Sequence, residues 1–267
     1  MGAASEQPGS LGRNGRWARL LAGLSRRAFG LYAGVLFTAV VMIFFATASP
    51  LGEIAKKRRV ARALTRLFFR MLRMPVVAKG IEQLPSEPHI LVINHASFLD
   101  AIALTALLPA NPGYTFTARQ EFRMQSLLCP ILQQVHLLVL AHSPHLHSAN
   151  VDMMSAALRR GESLVIFPEG GFVRARGLRA FHQGPFIVAA RTGAKIVIAA
   201  LRGTRTALPL GTWSMRRVPI SLEIGPTFQC SSEEPAVVNA ASAAARAAML
   251  ALCGEHPSSL RVGPSAA

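Results

Sequence analysis

The chain is poor in cysteine and in large polar aromatics, and each shortage excludes a class of protein. It has three cysteines in 267 residues, Cys129, Cys230 and Cys253, and no C-x-x-C pair. An odd number at wide spacing argues against a disulfide-stapled secreted fold and gives no zinc pattern, so no metal site is predicted. The two tryptophans and two tyrosines all lie outside the basic run at 56–74. Without aromatics in that run, a platform for stacking nucleic-acid bases is not supported.

Acidic residues are also scarce. Asp and Glu number 13 against 29 Lys and Arg, which gives a net charge of +16. Residues 1–74 contain 13 of the basic residues and two acidic ones, Glu6 and Glu53, a net charge of +11. Because this basic segment also contains the longest apolar run, its charge predicts contact with an anionic membrane rather than with nucleic acid.

The longest apolar run lies between Arg27 and Glu53, where no charged residue occurs. It is long enough to cross a bilayer, which takes ~20 residues. A cleaved signal peptide is an alternative because Ala46-Thr-Ala48 has the A-x-A form, and a helix or hairpin lying in one leaflet is another. The apolar core is longer than the apolar region of a usual signal peptide, which has ~7–15 residues, so we expect a retained membrane helix over 28–52. Its more basic C-terminal flank predicts that the rest of the chain is cytoplasmic.

Residues 53–75 form a basic amphipathic segment. A surface helix packed on the following domain would show this pattern, but an all-basic polar face favours a helix at the membrane interface. Outside these segments we expect a basic, disordered N-terminus at 1–27 and a loose tail at 255–267. The arginines that recur at helical spacing are Arg59, Arg62, Arg66, Arg70 and Arg73, and the apolar residues opposite them are Leu64, Leu67, Phe68, Met71 and Leu72.

Residues 76–254 alternate between short apolar runs and helical patterns. Such alternation predicts an α/β domain with a mostly parallel sheet covered by helices, preceded by the membrane-anchoring helical segment. The predicted strands are 90–93, 114–117, 137–140, 163–167, 195–201 and 220–224, and the predicted helices are 97–108, 148–160, 186–192 and 236–253.

The segment Asn94-His95-Ala-Ser-Phe-Leu-Asp100 directly follows a predicted strand. The carboxyl ends of strands in open α/β sheets are where ligands bind. Imidazole titrates near neutrality and accepts a proton from an attacking hydroxyl, and a nearby carboxylate fixes its tautomer. On one regular helix the two side chains would diverge by about 140°, so the pair requires His95 in the loop and Asp100 in the first helical turn. Ser97-x-x-Asp100 also has the form of a capping box, which would give Asp100 a purely structural role.

A second polar segment ends the predicted strand at 163–167. Phe167-Pro-Glu-Gly-Gly171 stands at this strand end, and Arg174, Arg176 and Arg179 follow it. A strand that runs into a glycine-containing turn presents backbone N–H groups, and guanidinium groups hold phosphate in a fork. A strand-ending turn with a solvated basic loop would look the same. Together, an acid–base pair and a phosphate site at two strand ends predict an active site.

These motifs resemble those of the glycerophospholipid acyltransferase superfamily, typified by the 1-acylglycerol-3-phosphate acyltransferases, across roughly residues 60–228. The N-H-x4-D motif of that family matches Asn94, His95 and Asp100, and its F-P-E-G block matches Phe167 to Gly170. Further segments that resemble family blocks are Arg119-Gln-Glu121-Phe122, Leu178 to Phe186, Gly193 to Val197 and Arg202-Gly203.

By this resemblance, His95 is the general base that deprotonates the acceptor hydroxyl, and Asp100 orients it. The hydroxyl attacks the thioester of acyl-CoA or acyl-carrier protein, the co-substrate, and no other cofactor is expected. Glu169 and Gly170 are expected to bind the glycerol backbone and Arg174 the phosphate. The full set of implied substrate-binding residues is Asn94, Glu169, Gly170, Arg174 and Arg176.

Two positions depart from the family pattern. Members commonly read F-P-E-G-T-R-S-R, whereas Phe172 replaces the first of these arginines. A second arginine, usual after the third strand, is missing from Leu140-Ala141-His142. Phe172 followed by Arg174, with Gly203-Thr-Arg205 further on, resembles a bacterial subgroup. The acceptor headgroup is therefore open, and a non-catalytic lipid-binding protein on the same scaffold is the alternative function.

The sequence thus predicts a membrane-bound acyltransferase of phospholipid biosynthesis. Its expected partners are a phospholipid membrane, an acyl-thioester donor and a lysophospholipid acceptor, with 1-acylglycerol-3-phosphate favoured and another lysolipid headgroup as the alternative. The expected location is a bacterial inner membrane with the catalytic domain on the cytoplasmic side.

Overall fold

Seven strands form one sheet in the computed structural model, which describes residues 13–111, 113–119, 134, 137–140, 147–212 and 214–258. The strand order is β1-β7-β6-β2-β5-β3-β4, and every neighbouring pair is parallel except β6 and β7. The predicted, mostly parallel sheet is confirmed. The strands are β1 (Val76–Lys79), β2 (His89–Ile93), β3 (Tyr114–Arg119), β4 (Leu137–Leu140), β5 (Ser163–Ile166), β6 (Lys195–Arg202) and β7 (Ile220–Phe228).

Helices cover both faces of the sheet, which explains why its central strands are apolar on both sides. The helices are α1 (Arg13–Ala48), α2 (Ile54–Met71), α3 (Leu99–Leu107), α4 (His147–Arg159), α5 (Gly184–Thr192), α6 (Thr204–Ala207) and α7 (Pro235–Cys253), and a short 3-10 turn at Ile81–Gln83 follows β1. In β2, Leu91 and Ile93 pack with α1, α2 and α3, whereas Ile90 and Val92 pack with α4, α5 and α7.

The first two helices form an antiparallel pair. The end of α1 is linked to the start of α2 by residues 49–53, and Tyr32 near its middle donates a hydrogen bond to Met71 O at the end of α2. Because α1 begins at Arg13, the prediction of a disordered N-terminus is wrong for residues 13–27, and residues 1–12 lie outside the described part. The stripe of α1 that packs inward is Ala33, Leu36, Val40, Phe44 and Ala48.

The basic face of α2 is divided between the domain and solvent. Arg66 Nε donates to Ala106 O at 2.8 Å and Arg62 Nη2 to Leu107 O at 3.5 Å, so these two guanidinium groups satisfy carbonyls at the end of α3. Arg58 is buried and donates to Thr115 Oγ1 at 3.2 Å. The prediction of an all-basic face turned to the membrane is therefore wrong for Arg62, which is half-buried against the domain. Arg59, Arg66, Arg70 and Arg73 remain exposed.

The chain after α7 packs against a loop of the domain. Leu178 N donates to His256 O and Ser258 N donates to Leu178 O, both at 3.0 Å. These bonds hold residues 255–258, which we call the C-terminal strap. The predicted loose tail is thus wrong for the strap, because its backbone groups find partners on the loop, and residues 259–267 lie outside the described part. So do residues 120–122 of the family-like segment, together with His142.

Candidate active site

The loop between β2 and α3 places His95 beside Asp100. His95 Nδ1 lies 2.7 Å from Asp100 Oδ2, and Asp100 stands in the first turn of α3. This is the arrangement that the five-residue spacing required. Because the carboxylate only accepts hydrogen bonds, Nδ1 carries the ring proton and donates it, which leaves Nε2 with the lone pair that accepts a proton.

The same Asp100 oxygen also accepts backbone hydrogen bonds just before the start of α3. Oδ2 accepts hydrogen bonds from Ala96 N at 2.7 Å and Ser97 N at 2.9 Å, and the side chain is completely buried. Ser97 Oγ accepts from Leu99 N and donates to Leu208 O at 2.7 Å. One oxygen thus accepts the backbone N–H groups that precede α3 and also contacts the imidazole; the catalytic orienting role of Asp100 stays a prediction.

Two phenylalanines contact the imidazole, and a third packs on one of them. Phe167 stacks on the His95 ring at 4.0 Å with an interplanar angle of 18°, and Phe172 contacts it edge-on at 4.4 Å. The Phe98 ring lies 4.9 Å from that of Phe172. Position 172, where the family pattern has an arginine, thus supplies an aromatic contact to His95 instead of a charge.

Glu169 joins the two predicted motifs. Its Oε1 accepts a hydrogen bond from His95 N at 2.9 Å and its Oε2 accepts one from Arg179 N at 3.0 Å. The side chain is 3% exposed, and burial raises the pKa of this carboxyl against the opposing effect of the two backbone N–H groups. Both Glu169 oxygens thus accept backbone N–H groups, which fixes the backbone at His95; substrate binding by Glu169 stays a prediction.

Asn94 and Gly170, also predicted to bind substrate, both lie against other parts of the fold. The Asn94 amide donates to Leu201 O at 3.0 Å and accepts from Leu201 N at 2.8 Å, which joins the end of β2 to β6. Gly170 has a φ of 70°, and a Cβ there would collide with the His182 ring. Only glycine fits this turn.

Two arginines predicted to bind phosphate, Arg174 and Arg176, are exposed on the loop that follows Gly171. Arg174 Nε donates to Leu210 O at 3.2 Å, and this arginine lines an open cleft of about 350 Å³. Arg176 is exposed and has no hydrogen bond or ion pair to the described residues. The cleft adjoins the His95 loop, so a headgroup bound in it would lie near the base. Its lining residues are Ala96, Val173, Arg174, Arg205, Pro209, Leu210 and Thr212.

Sequence reasoning missed the aromatic enclosure and Arg205. Phe98 and Phe172 both stand within the two recognised motifs, so their proximity to His95 was a signal that could have been used. Arg205 lies just after β6, whose end is the neighbour of the β2 end, but only the strand order reveals this.

Comparison with known proteins agrees with this geometry. The profile of the acyltransferase family matches residues 75–202, which hold His95, Asp100 and Glu169. The domain belongs to the acyltransferase superfamily. The acyltransferase profile begins just before β1 and ends with β6, so the helical pair α1–α2 and the C-terminal strap lie outside it.

Several curated acyltransferases are similar in sequence to part of this chain. A chloroplastic 1-acyl-sn-glycerol-3-phosphate acyltransferase of Arabidopsis thaliana is 29% identical over 50% of this chain and 38% of its own length. The 1-acyl-sn-glycerol-3-phosphate acyltransferase of Neisseria gonorrhoeae is 29% identical over 47% and 51%. A lyso-ornithine lipid O-acyltransferase of Pseudomonas aeruginosa is 27% identical over 51% of each chain. The chain thus spans about half or less of the length of these relatives.

A solved acyltransferase has the same fold. The crystal structure of the 1-acyl-sn-glycerophosphate acyltransferase PlsC from Thermotoga maritima superposes with a TM-score of 0.65 over 84% of this chain and 96% of that one, at 18% identity. At this identity the likeness concerns the fold alone.

Proposed function

We propose that this protein is a membrane-bound acyltransferase that transfers an acyl chain from a thioester to the free hydroxyl of a lysophospholipid. The observation that carries the proposal is the 2.7 Å hydrogen bond between His95 Nδ1 and Asp100 Oδ2 beside an arginine-lined cleft. Relatives named for acylation of lysolipids support the reaction class.

The proposed reaction uses His95 as base and then as acid. As the acceptor oxygen attacks the thioester carbonyl, its proton passes to His95 Nε2, and Asp100 stabilises the imidazolium that forms. The new C–O bond replaces the C–S bond, and the leaving thiolate takes the proton back from the imidazolium. Glu169 holds His95 through its backbone N–H, and Phe167 and Phe172 hold the ring. No acyl-enzyme intermediate is required.

We assign the acceptor headgroup to the cleft. Arg174 donates only its Nε to a described partner, Leu210 O, so its terminal N–H groups are available to a phosphate. Arg176, two residues further along the same loop, is exposed and adds positive charge to it. An acceptor with an anionic headgroup, such as 1-acylglycerol-3-phosphate, fits this charge.

Membrane attachment is assigned to the outer face of α1. Leu31, Val35 and Met42 are 72%, 62% and 66% exposed, and an apolar surface of this kind marks a membrane or protein contact. The opposite face packs on α2 from Ala33 to Ala48, so the helix has only one face for lipid. This favours α1 lying in one leaflet beside the catalytic domain, with exposed arginines of α2 at the headgroups. We place the domain on the cytoplasmic side of the inner membrane, where acyl-CoA and acyl-carrier protein are present.

An acceptor panel tests the reaction. Purified protein in detergent or liposomes is given lysolipids with phosphate, zwitterionic and amino-acid headgroups, each with acyl-CoA and with acyl-carrier protein as donor. We expect transfer with a preference for 1-acylglycerol-3-phosphate. Binding of these lipids without turnover under any donor would instead support the non-catalytic alternative.

A further inference from the structure

The arginine loop, residues 171–179, has no regular secondary structure, yet hydrogen bonds from other parts of the protein hold much of its backbone. Arg246 of α7 donates from Nε to Arg179 O at 2.9 Å and from Nη2 to Leu178 O at 2.8 Å. The C-terminal strap pairs with Leu178 on both sides. A loop held this firmly presents its side chains in one arrangement, which lowers the entropy cost of ligand binding.

The part of the arginine loop that carries Arg174 is held by one ion pair. Arg205 Nη1 donates to Val173 O at 2.9 Å and to Ala175 O at 3.1 Å, the two carbonyls that flank Arg174. Arg205 Nε in turn lies 3.2 Å from Glu255 Oε1, and its Nη2 lies 3.4 Å from Glu255 Oε2.

Glu255 also reaches the loop directly. Its Oε2 accepts a hydrogen bond from Gly177 N at 2.9 Å. The Arg205 and Glu255 side chains are 19% and 23% exposed, so solvent screens this pair less than it screens the surface pairs of the molecule.

Arg205 lines the cleft but is not itself a free phosphate ligand. Four of its five N–H donors are used, two by Glu255 and two by the loop carbonyls. Arg174 has a single bond to a described partner, Leu210 O. Arg174 is thus the arginine that can contact the headgroup, and Arg205 fixes the backbone that carries Arg174.

We propose that Arg205 and Glu255 are positioning residues that hold Arg174 over the cleft and thereby set the affinity for an anionic acceptor headgroup. This inference rests on the proposed function, because it assumes that the cleft receives the acceptor. It also gives the C-terminal strap, which lies outside the matched family profile, a part in acceptor binding.

The test compares Glu255→Gln with wild type. A glutamine has one acceptor oxygen and turns an N–H2 toward the donors that Glu255 satisfies, so the loop loosens. We expect the acceptor KM to rise roughly tenfold, as loss of a charged hydrogen bond predicts, with kcat and the donor KM within about twofold. Glu233→Gln, which breaks the Arg191–Glu233 surface pair far from the site, is the matched control and is expected to change none of these values.

A second variant, Arg205→Lys, tests whether the forked hydrogen bonds of the guanidinium group are needed or only its positive charge. Lysine keeps the positive charge but does not reach Glu255 and both loop carbonyls at once, so the acceptor KM is expected to rise here as well. Recovery of wild-type KM in Arg205→Lys would show that only charge matters and would overturn the proposal. So would an acceptor KM within twofold of wild type in Glu255→Gln, or a parallel fall of kcat in both variants.

Equilibrium binding keeps this result distinct from a failure of the proposed function. The dissociation constant of 1-acylglycerol-3-phosphate is measured by titration into detergent-solubilised wild type, Glu255→Gln and Glu233→Gln. Weaker binding in Glu255→Gln alone supports the positioning role even if wild type shows no turnover, which would contradict only the reaction. Equal binding in all three proteins overturns the positioning role.

Discussion

At the scale of single residues, one carboxylate oxygen holds the imidazole of His95 in its orientation. Asp100 Oδ2 accepts from His95 Nδ1, Ala96 N and Ser97 N. The imidazole tautomer and the first turn of α3 therefore depend on the same atom. A change in this atom should affect catalysis and stability together.

We expect Asp100→Asn to lower kcat by about 10²-fold or more, because the amide does not stabilise the imidazolium and does not enforce the tautomer. It should also lower the free energy of unfolding by about 1–3 kcal/mol, since the buried backbone N–H groups keep only a neutral, weaker acceptor and the amide N–H2 takes the buried Oδ1 position, where no described group accepts from it. Initial rates and urea unfolding measure the two effects. Asp152→Asn, at an exposed ion pair with Arg191, is the control. A kcat within threefold of wild type in Asp100→Asn would argue against the orienting role.

A buried histidine, His89, is expected to make stability depend on pH. His89 Nδ1 lies 2.8 Å from Glu87 O and Nε2 lies 2.8 Å from the Tyr114 hydroxyl, and burial lowers the pKa of this imidazole. Because the folded state binds this proton more weakly than the unfolded state, the stabilisation is complete above the unfolded pKa of about 6.5 and is lost as pH falls below it.

We therefore expect the melting temperature to fall between pH 7.5 and pH 5.5, and to fall less in His89→Gln. Thermal unfolding followed by circular dichroism across this range measures both. His256→Gln, at an exposed histidine, should keep the wild-type slope. An unchanged slope in His89→Gln would exclude His89 as the source.

At the scale of elements, two helical segments in the described part of the chain are apolar and long enough to cross a membrane, Gly23–Ala48 and Pro235–Cys253. The surface that each one exposes distinguishes them. The second lies on the sheet with Val238, Ala245 and Met249 buried, as an ordinary covering helix does. The first buries one apolar face but exposes large apolar side chains on the other. Sequence composition alone does not make this distinction, because it depends on which face meets the domain.

The exposed face of α1 can be tested by charge. We expect Leu31→Glu combined with Val35→Glu to reduce partition into anionic liposomes at least tenfold, because two large side chains leave the apolar phase at a cost of about 1.5–3 kcal/mol each. Flotation of purified protein with vesicles measures partition. Ala243→Glu with Ala244→Glu on exposed positions of α7 adds the same charge elsewhere and should leave binding unchanged. Equal flotation of both variants would place the membrane contact elsewhere.

Much of this element-level structure follows from the sequence. The apolar runs predicted all strands of the sheet except β1, whose four residues between Pro75 and Gly80 alternate between half-buried and exposed and end in a lysine, so they form no fully apolar run. The distribution of the α2 arginines was not predictable, because helical spacing shows that they share a face but not that Arg62 and Arg66 find carbonyls of α3 there.

At the scale of the whole molecule, the site is assembled from the carboxyl ends of three adjacent parallel strands, β6, β2 and β5. The His95–Asp100 pair could be predicted because both residues lie in one short segment. Glu255 could not be, because it meets Arg205 fifty positions away in the chain, with no periodic pattern linking them. Asn94 and Glu169 were recognised, but their partners are backbone groups that no motif specifies.

The central claim is that His95 is the base of an acyl transfer. The most direct test compares purified wild type with His95→Ala in liposomes containing 1-acylglycerol-3-phosphate and an acyl-CoA donor. We predict formation of diacylglycerol phosphate by wild type and a loss of about 10²–10⁴-fold in the variant, with the melting temperature and liposome binding unchanged. Transfer by His95→Ala at a rate within threefold of wild type would contradict the account.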